Sequence, residues 1–219
     1  MHSAPAGASP PRLRYRLAAM SLLEHALAAT GAPPSLRAQL EAFLALFAKW
    51  NARINLSAAR DHAAIAAQLA DSLYITPHLA DASSVLDVGS GGGLPVVVAA
   101  LRWPKTQFTA LEPVHKKHAF LRTAARELHL ANLDAHAVRL EAHPRADYDV
   151  AMSRATFDLV EWIGLGLTRV RPGGRVLAME GLRRDDLDPS WERHDYVFET
   201  KQRAIILARR APSPLDNPG

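Results

Sequence analysis

Apolar residues in the first third of the chain recur every three or four positions, the spacing that buries one face of an α-helix. This pattern predicts helices over about residues 17–29, 35–50 and 61–74. Ser35 and Asp61 stand where helix N-cap residues are expected. Because these alanine-rich helices come before the rest of the pattern, we expect them to form a small helical cap that packs on a sheet.

Beyond residue 80 the pattern changes to short apolar runs that alternate with helical segments. Strands are predicted at 84–87, 107–111, 134–138, 148–153, 175–180, 195–200 and 203–208, and helices at 96–101, 114–129 and 157–170. A tight turn is expected at 171–174, and a hairpin is expected between the last two strands. The predicted fold class is α/β: a doubly wound, mostly parallel, seven-stranded Rossmann-like sheet with an N-terminal helical cap.

The length of 219 residues, 48% of them hydrophobic, suits one large domain with an appended helical piece. We divide the chain into a disordered tail (1–11), the helical cap (12–80), the sheet domain (81–210) and a second disordered tail (211–219). No stretch is long and apolar enough to span a membrane, and the N-terminus lacks the apolar core of a secretory signal. A cytoplasmic location is therefore expected.

Charge and cysteine content narrow the classes of function. A formal net charge of +4 permits a nucleic-acid partner, although a uniformly basic surface gives the same total. The chain has no cysteine, which excludes structural disulfides, thiolate metal sites and any mechanism that needs its own cysteine nucleophile. No pair among the ten histidines has a convincing third ligand nearby, so no metal is expected.

The most informative stretch is a glycine-rich loop directly after the first predicted strand. Asp87 ends that strand, and Gly89, Gly91 and Gly93 allow the backbone to turn sharply and approach a ligand. The third glycine follows the second after two residues, where the dinucleotide fingerprint requires three, which disfavours an NAD oxidoreductase. This spacing resembles the S-adenosylmethionine (SAM) loop of class I methyltransferases. Glu112 ends the next strand, where an acidic residue binds ribose hydroxyls in such folds.

Four further motifs occur in a fixed order along the chain. They are Trp-Asn-Ala-Arg-Ile-Asn-Leu-Ser at 50–57, Leu-Ala-Asp-Ser-Leu at 69–73, Lys116-Lys117 followed by Phe120-Leu121, and Ser153-Arg154-Ala155. Together with the glycine loop they resemble the bacterial small-subunit rRNA methyltransferase G family, also called the glucose-inhibited division protein B family, over roughly residues 36–181. The resemblance implies SAM as cofactor and N7 of a guanine in 16S rRNA as the methyl acceptor.

The resemblance also implies a set of cofactor contacts. The set is Asp87, Gly89, Gly91, Gly93, Leu94, Glu112, Leu140, Glu141 and Arg154. Leu140 and Glu141 would lie beside the adenine. Arg154 would lie at the mouth of the site, where its planar fork can pair with the SAM carboxylate or with an RNA phosphate. A structural pair between Arg154 and a nearby Asp is the alternative.

Candidate substrate contacts come from the cap and from the helix after the second strand. They are Asn51, Asn55, Asp71, Lys116 and Lys117. The two lysines can meet RNA phosphates or simply form a solvated helix face, and Asn55 can equally cap a helix end. No catalytic base is predicted, because guanine N7 carries a lone pair and no proton.

The chain departs from the family pattern at several positions: Gln68 replaces a usual His, Ala70 a usual Leu, and Glu112-Pro113 a frequent Asp-Ser. The most important departure is Glu180, which replaces a usual Lys at the end of the fifth strand. Glu180 would disfavour phosphate at that edge. The expected partner is 16S rRNA or the 30S subunit, bound by a monomer, with no membrane. Two alternatives stay open: a diverged methyltransferase acting on another RNA or a small molecule, and a SAM-binding ribosome- or RNA-binding protein without turnover.

Overall fold

The computed structural model describes residues 21–59 and 61–212, and its centre is a seven-stranded sheet in the order β3-β2-β1-β4-β5-β7-β6. The strands are β1 Ser84–Val88, β2 Gln107–Leu111, β3 Leu133–His136, β4 Tyr148–Ser153, β5 Val170–Glu180, β6 Glu192–Phe198 and β7 Lys201–Arg209. Strands β1 to β5 pair in parallel, whereas β7 runs antiparallel to both β5 and β6. The order reverses between β1 and β4, so a crevice for a ligand is expected at their carboxyl ends.

Helices cover both faces of this sheet, as the predicted doubly wound fold requires. They are α1 over residues 21–29, α2 Leu36–Ile54, α3 His62–Asp71, α4 Val96–Arg102, α5 His115–Glu127 and α6 Leu159–Leu167, with 3-10 turns at Thr76–Leu79 and Leu140–Ala142. One apolar cluster joins the first five helices to one face, and a second joins α6 to the other. Neighbouring residues of β1 alternate between them: Val85 belongs to the first cluster and Leu86 to the second.

The first five strands come close to their predicted positions because buried parallel strands are short continuous apolar runs. The turn predicted at 171–174 is wrong, because this segment belongs to β5, which starts at Val170. The pairing of β4 with β5 shifts register between Tyr148 and Val150. A Cβ on Gly174 would lie 2.8 Å from the carbonyl oxygen of Arg171, so the glycine marks an irregularity within a strand.

Side-chain capping is present at the starts of α3 and α6 and absent at the start of α2. Asp61 caps α3, because its side chain accepts a hydrogen bond from the Ala64 N–H at 2.8 Å. Ser35 stands at the N-cap position of α2, as predicted, but it has helical backbone angles and its side chain makes no capping hydrogen bond. Helix α6 is shorter than predicted because Asp158 caps its start. Residues 1–20 and 213–219 lie outside the described part of the chain, including the whole tail predicted at 1–11.

Within residues 21–59 and 61–212, no helix combines the length and the apolar character that crossing a bilayer demands.

Candidate active site

A cleft of about 420 Å³ opens at the carboxyl ends of β1, β2 and β4, where the strand order reverses. Its walls come from α2 and the loop after it, from α3, from the glycine loop, and from the residues that follow β2 and β4. The lining residues are Phe47, Leu56, Ser57, Ala58, Gln68, Gly89, Ser90, Gly91, Gly92, Leu94, Glu112, Pro113, Lys117, Arg154, Ala155 and Thr156. The cleft therefore joins parts of the chain that are up to about 100 residues apart.

The floor of the cleft is the glycine loop. Gly89 and Gly91 have φ values of +72° and +54°, which favour glycine. A Cβ on Gly89 would collide with the Thr156 side chain, whereas one on Gly91 would find no neighbour closer than the Gly89 carbonyl oxygen at 3.8 Å. A Cβ on Gly92 would strike the ring of Phe47. Gly91 thus presents bare backbone to the cleft. The absence of a side chain at Gly89 and Gly92 lets Thr156 and Phe47 lie close to the loop.

Glu112 is buried at the carboxyl end of β2 and faces this loop. Its Oε2 accepts a hydrogen bond from the Gly91 N–H, and its Oε1 accepts one from the Val114 N–H, both at 2.8 Å. The carboxylate therefore ties the glycine loop to the start of α5. Each oxygen keeps a further lone pair, so the group can still accept hydrogen bonds from ribose hydroxyls.

Asp87 is the last residue but one of β1, which ends at Val88, and it is only 1% exposed. Its Oδ2 has no hydrogen-bond partner among the described residues. Burial raises the pKa of Asp87 to about 7, and the nearby charge of Arg154 opposes that rise. An unpaired buried acceptor beside a cleft fits a ligand that brings a positively charged donor, such as the ammonium group of an amino acid.

Arg154 also lines the cleft, with its side chain 20% exposed. Its Nη1 donates to Ser72 Oγ at 3.1 Å and to the Gln68 carbonyl oxygen at 3.3 Å. The same nitrogen lies 4.0 Å from Asp71 Oδ2. The predicted alternative of a structural pair is therefore present at long range, and the residue also lines the cleft.

The structure separates the predicted cofactor contacts into two groups. Those that line the cleft are Gly89, Gly91, Leu94, Glu112 and Arg154. Asp87 and Gly93 are not lining residues: Gly93 has φ +79°, and a Cβ there would collide with Val97 of α4. Leu140 and Glu141 lie on the 3-10 turn after β3, where Leu140 is buried in the second apolar cluster and Glu141 is exposed. Their contact with the adenine stays a prediction.

Of the predicted substrate contacts, only Lys117 lines the cleft, and exposed Lys116 adjoins it. Asn51 is buried, and both ends of its amide are used inside the protein: Nδ2 donates to the Ala59 carbonyl oxygen at 2.6 Å, and Oδ1 accepts from the Ser57 N–H at 2.9 Å. Asn55 ends α2 as its C-cap, in the left-handed conformation. Asn51 therefore supports the loop that lines the cleft, and substrate contact by Asn51 or Asn55 stays a prediction.

Asp71, the remaining predicted substrate contact, is also buried away from the cleft lining. Arg203 donates to its Oδ2 at 2.6 Å, and the Tyr196 hydroxyl donates to its Oδ1 at 3.0 Å. Both partners come from the antiparallel strands at the far end of the sheet. The placement is therefore that of a supporting residue behind Arg154.

Several lining residues carry little signal in the sequence that would mark them as site residues. Phe47 has helical spacing and reads as an ordinary core position, and Thr156 follows the Ser-Arg-Ala motif without a signal of its own. Ser57 and Gln68 belong together, because Ser57 Oγ donates to Gln68 Oε1 at 2.9 Å across the cleft wall. The motif at 50–57 and the departure at Gln68 were the signals that could have marked this pair.

Glu180 does not place a free negative charge at the edge of the sheet. It is 3% exposed, forms an ion pair with Arg193, and accepts a hydrogen bond from the Arg184 N–H at 2.8 Å. The expectation that it disfavours phosphate there is wrong, because a buried, paired carboxylate presents little field to a ligand outside. Within the described residues, no group of three or more His, Cys, Asp or Glu side chains is placed to hold a metal ion.

The sheet order, the glycine loop after β1 and the acidic residue ending β2 define a class I SAM-dependent methyltransferase. Within that class, the family model for rRNA small subunit methyltransferase G matches residues 36–205, and the chain belongs to this family. The resemblance inferred from the sequence is confirmed, and the SAM cofactor is confirmed with the family. The predicted fold class is confirmed by the sheet itself.

Curated relatives and solved structures agree with this placement. The ribosomal RNA small subunit methyltransferases G of Burkholderia pseudomallei strain 1106a and Burkholderia mallei strain NCTC 10229 are both 45% identical over 159 residues. The match covers 68% of this chain and 68% and 69% of those proteins, respectively. The O-methyltransferase TomG from Streptomyces achromogenes, solved with SAM, is 17% identical, with a TM-score of 0.54 over 77% of this chain and 89% of that one. A putative O-methyltransferase from Klebsiella pneumoniae reaches 0.53 at 16% identity, over 77% and 90% of the two chains. At such identities these structures establish the fold alone.

Proposed function

We propose that the protein transfers a methyl group from SAM to N7 of a guanine in 16S rRNA, acting as a monomer on the 30S subunit or its rRNA in the cytoplasm. One observation carries the proposal: a chain of the rRNA small subunit methyltransferase G family keeps an open cleft at the strand-order reversal with its polar groups in place. Those groups are the bare backbone of Gly91 and the carboxylate of Glu112, which line the cleft, together with the carboxyl of Asp87, which is buried and does not line it.

The residues present fit SAM as ligand. The absence of any close neighbour beside a Cβ on Gly91 leaves room for a ligand against the backbone. Glu112 supplies acceptors for ribose hydroxyls, and Asp87 supplies an unpaired acceptor for the ammonium group of the methionine part. Arg154 supplies donors for its carboxylate. Acidic and basic groups thus face the two oppositely charged ends of one amino-acid moiety.

The burial of Arg154 also helps to decide whether it binds the carboxylate of SAM or an RNA phosphate. Its side chain is largely enclosed and hydrogen-bonded to Ser72. An RNA phosphate on a bulky backbone cannot follow it there, whereas the small carboxylate of a cofactor in the cleft can. We therefore assign Arg154 to the cofactor and leave the RNA phosphates to the exposed lysines.

The chemistry asks little of the side chains beyond placement. The bound cofactor supplies a methyl group made electrophilic by a sulfonium. Guanine N7 has a lone pair and no proton, so no residue has to remove one. The protein has to align acceptor and donor, a contribution that reaches roughly 7–11 kcal/mol for well-oriented reactants. This agrees with a cleft whose lining residues hold and enclose a ligand.

RNA binding falls to the start of α5. Lys117 lines the cleft and Lys116 is exposed beside it, so both can reach phosphates around a guanine that enters the cleft. The alternative of a purely solvated helix face applies better to the far end of α5, where Arg126 pairs with its neighbour Glu127.

The proposal is tested by transferring tritiated methyl from SAM to 30S subunits and to free 16S rRNA from a strain that lacks its own enzyme, followed by nucleotide mapping. Label on N7 of a single guanine is expected. A Gly91→Leu variant is the negative control, because its side chain starts at a Cβ with no close neighbour and would occupy the ligand space. Since φ at this position is +54°, which a leucine adopts with strain, circular dichroism checks that the variant is folded. Label on another RNA would indicate a diverged substrate, and SAM binding without any label would indicate a binding protein without turnover; both outcomes contradict the proposal.

A further inference from the structure

Behind the cleft lies a buried cluster of charged and polar side chains that the proposed reaction does not use directly. Its centre is Asp71, 4% exposed. One carboxylate oxygen accepts from Arg203 at 2.6 Å, and the other accepts from the Tyr196 hydroxyl at 3.0 Å. The Oδ2 that binds Arg203 also lies 4.0 Å from Arg154. Asp71 therefore stands between an arginine of the cleft and two residues of the β6–β7 hairpin.

The hairpin residues are themselves held in place by aromatic packing. The ring of Tyr196 stacks on Tyr74 with centroids 4.3 Å apart and planes 15° apart. The guanidinium of Arg203 lies 5.3 Å from the ring centre of Phe198. These contacts fix both donors to Asp71, which limits the rotation of its carboxylate.

Charges of both signs surround Asp71. Arg203 and Arg154 act on its carboxylate with opposite charge, and Glu199 acts on it with like charge. Nearby opposite charges act on both Asp71 and Arg154 across the cluster. If Arg203 is removed, Asp71 keeps one cationic neighbour, and Arg154 is then drawn toward it from 4.0 Å.

Arg154 has donors to spare for a ligand. Within the described part of the chain, the contacts to Ser72, Gln68 and Asp71 all engage Nη1. A guanidinium has five N–H donors, so those on Nε and Nη2 remain for a carboxylate in the cleft. Their direction depends on how Nη1 is held.

We propose that Asp71, Tyr196 and Arg203 are positioning residues that fix the guanidinium of Arg154 for the carboxylate of the cofactor's methionine part. The inference rests on the proposed function only for the ligand of the cleft. It gives the antiparallel hairpin, at the end of the sheet away from the glycine loop, a role in cofactor binding. The three residues act through Arg154 and do not touch the ligand themselves.

The test measures the affinity of the purified protein for S-adenosylhomocysteine and for 5′-methylthioadenosine, which lacks the amino-acid group, by titration calorimetry. Arg203→Met should weaken S-adenosylhomocysteine binding roughly 10-fold and leave methylthioadenosine binding unchanged within about 2-fold. Arg203→Lys should recover part of the affinity. The matched control is Arg209→Met on the same strand, whose partner Glu192 is exposed.

A double variant separates positioning from a general loss of structure. In an Arg154→Ala background, Arg203→Met should have no further effect on S-adenosylhomocysteine binding, because the residue it positions is gone. Tyr196→Phe removes a single hydroxyl and serves where Arg203→Met fails to fold; it should show a smaller loss of affinity with the same ligand preference. Equal losses of affinity for both ligands, or additive effects in the double variant, would overturn the inference.

The outcomes also distinguish this inference from the proposed function. If the variants lose S-adenosylhomocysteine binding selectively and the wild type does not methylate rRNA, the proposed substrate is overturned. The positioning role is then still supported. A wild type that methylates the guanine while Arg203→Met and Tyr196→Phe bind both ligands normally would overturn the positioning role alone. Failure of the wild type to bind either ligand would overturn both.

Discussion

Asp87 has an ionisable side chain although the residue is almost completely buried. Burial disfavours its charged form and raises its pKa to about 7, with the nearby negative charge of Glu112 adding to the rise and Arg154 opposing it. One of its oxygens has no hydrogen-bond partner among the described residues. The ligand-free protein therefore holds an acid that is neutral in mild acid and costly to ionise above neutral pH.

The raised pKa sets the sign of a pH dependence. Between about pH 4 and pH 7 the folded protein keeps a proton on Asp87 that the unfolded chain has released, so stability falls as pH rises through this window. Asp87→Asn removes the effect. We measure the melting temperature of the variant minus that of the wild type. We expect this difference to be several degrees more positive at pH 8 than at pH 5.

Thermal unfolding without ligand at the two pH values checks this prediction. Asp185→Asn is the control, since the Asp185 side chain is 95% exposed and should show no such difference. Equal differences for Asp87→Asn at pH 5 and pH 8 would contradict a raised pKa. In the presence of S-adenosylhomocysteine, the wild type should regain stability at pH 8 that the variant does not, because the ammonium group favours the ionised carboxyl.

Residue-scale prediction from the sequence succeeded where the cause is local. The positive φ angles of the glycine loop and the position of Glu112 at the end of a strand follow from residues close in sequence. The hydrogen bonds of Asp71 could not be predicted, because its partners Tyr196 and Arg203 lie more than 120 residues away. Glu180 was misjudged because its charge is balanced by Arg193, which is only 13 residues away in sequence but reaches it through the pairing of other strands.

At the scale of elements, the loop between α2 and α3 forms one wall of the cleft. Leu56, Ser57 and Ala58 line it, and Asn51 holds it from below through the two hydrogen bonds of its amide. Further anchors are the hydrogen bond from Ser57 to Gln68 and the burial of Leu56 and Ala59 in the first apolar cluster. The order of this wall therefore depends in part on Asn51, a buried side chain that does not line the cleft.

Asn51→Ala should loosen this wall. The change leaves the Ala59 carbonyl and the Ser57 N–H without their partner, which costs roughly 1–3 kcal/mol of stability. We also expect several-fold weaker binding of S-adenosylhomocysteine and faster hydrogen exchange at residues 56–59. Calorimetry and hydrogen-exchange mass spectrometry measure the two effects.

A matched control separates the wall from overall stability. Asn132 is also buried, and its Nδ2 lies 3.1 Å from three carbonyl oxygens near the amino end of β2, away from the cleft. Asn132→Ala should cost comparable stability without changing ligand affinity. If both variants bind the ligand equally well, the loop is not held by Asn51 in the way the structure indicates.

Elements were predicted well where apolar periodicity decides them and poorly where glycine and proline dominate. The segment 171–174 contains proline and two glycines, which normally indicate a turn. Here the glycines relieve crowding at an irregularity of β5, and the pairing with β4 overrides the local signal. Strand pairing of this kind depends on a partner that a single segment does not reveal.

At the scale of the whole molecule, the doubly wound sheet has two edges at which strand ends meet. The carboxyl ends of the parallel strands form the edge with the cleft, and their amino ends form the opposite edge. The cleft and Lys117 lie at the carboxyl ends of the parallel strands, and Lys105 lies before β2, at the opposite edge. A net charge of +4 alone would attract RNA to any basic surface. Placement of the guanine instead requires basic residues beside the cleft. Replacing Lys116 or Lys117 should therefore affect RNA binding differently from replacing Lys105.

The salt dependence of RNA binding measures this difference. Removing one lysine–phosphate interaction should reduce the slope of log affinity against log salt concentration by about 0.7 to 0.9. Lys116→Ala and Lys117→Ala should each lower the slope by about that amount for 16S rRNA fragments of any sequence, because phosphate contacts carry no sequence information. Lys105→Ala should leave it unchanged. Equal slopes for all three variants would mean that RNA approaches through a diffuse basic surface, and the lysines at the start of α5 would then have no special part in bringing the guanine to the cleft.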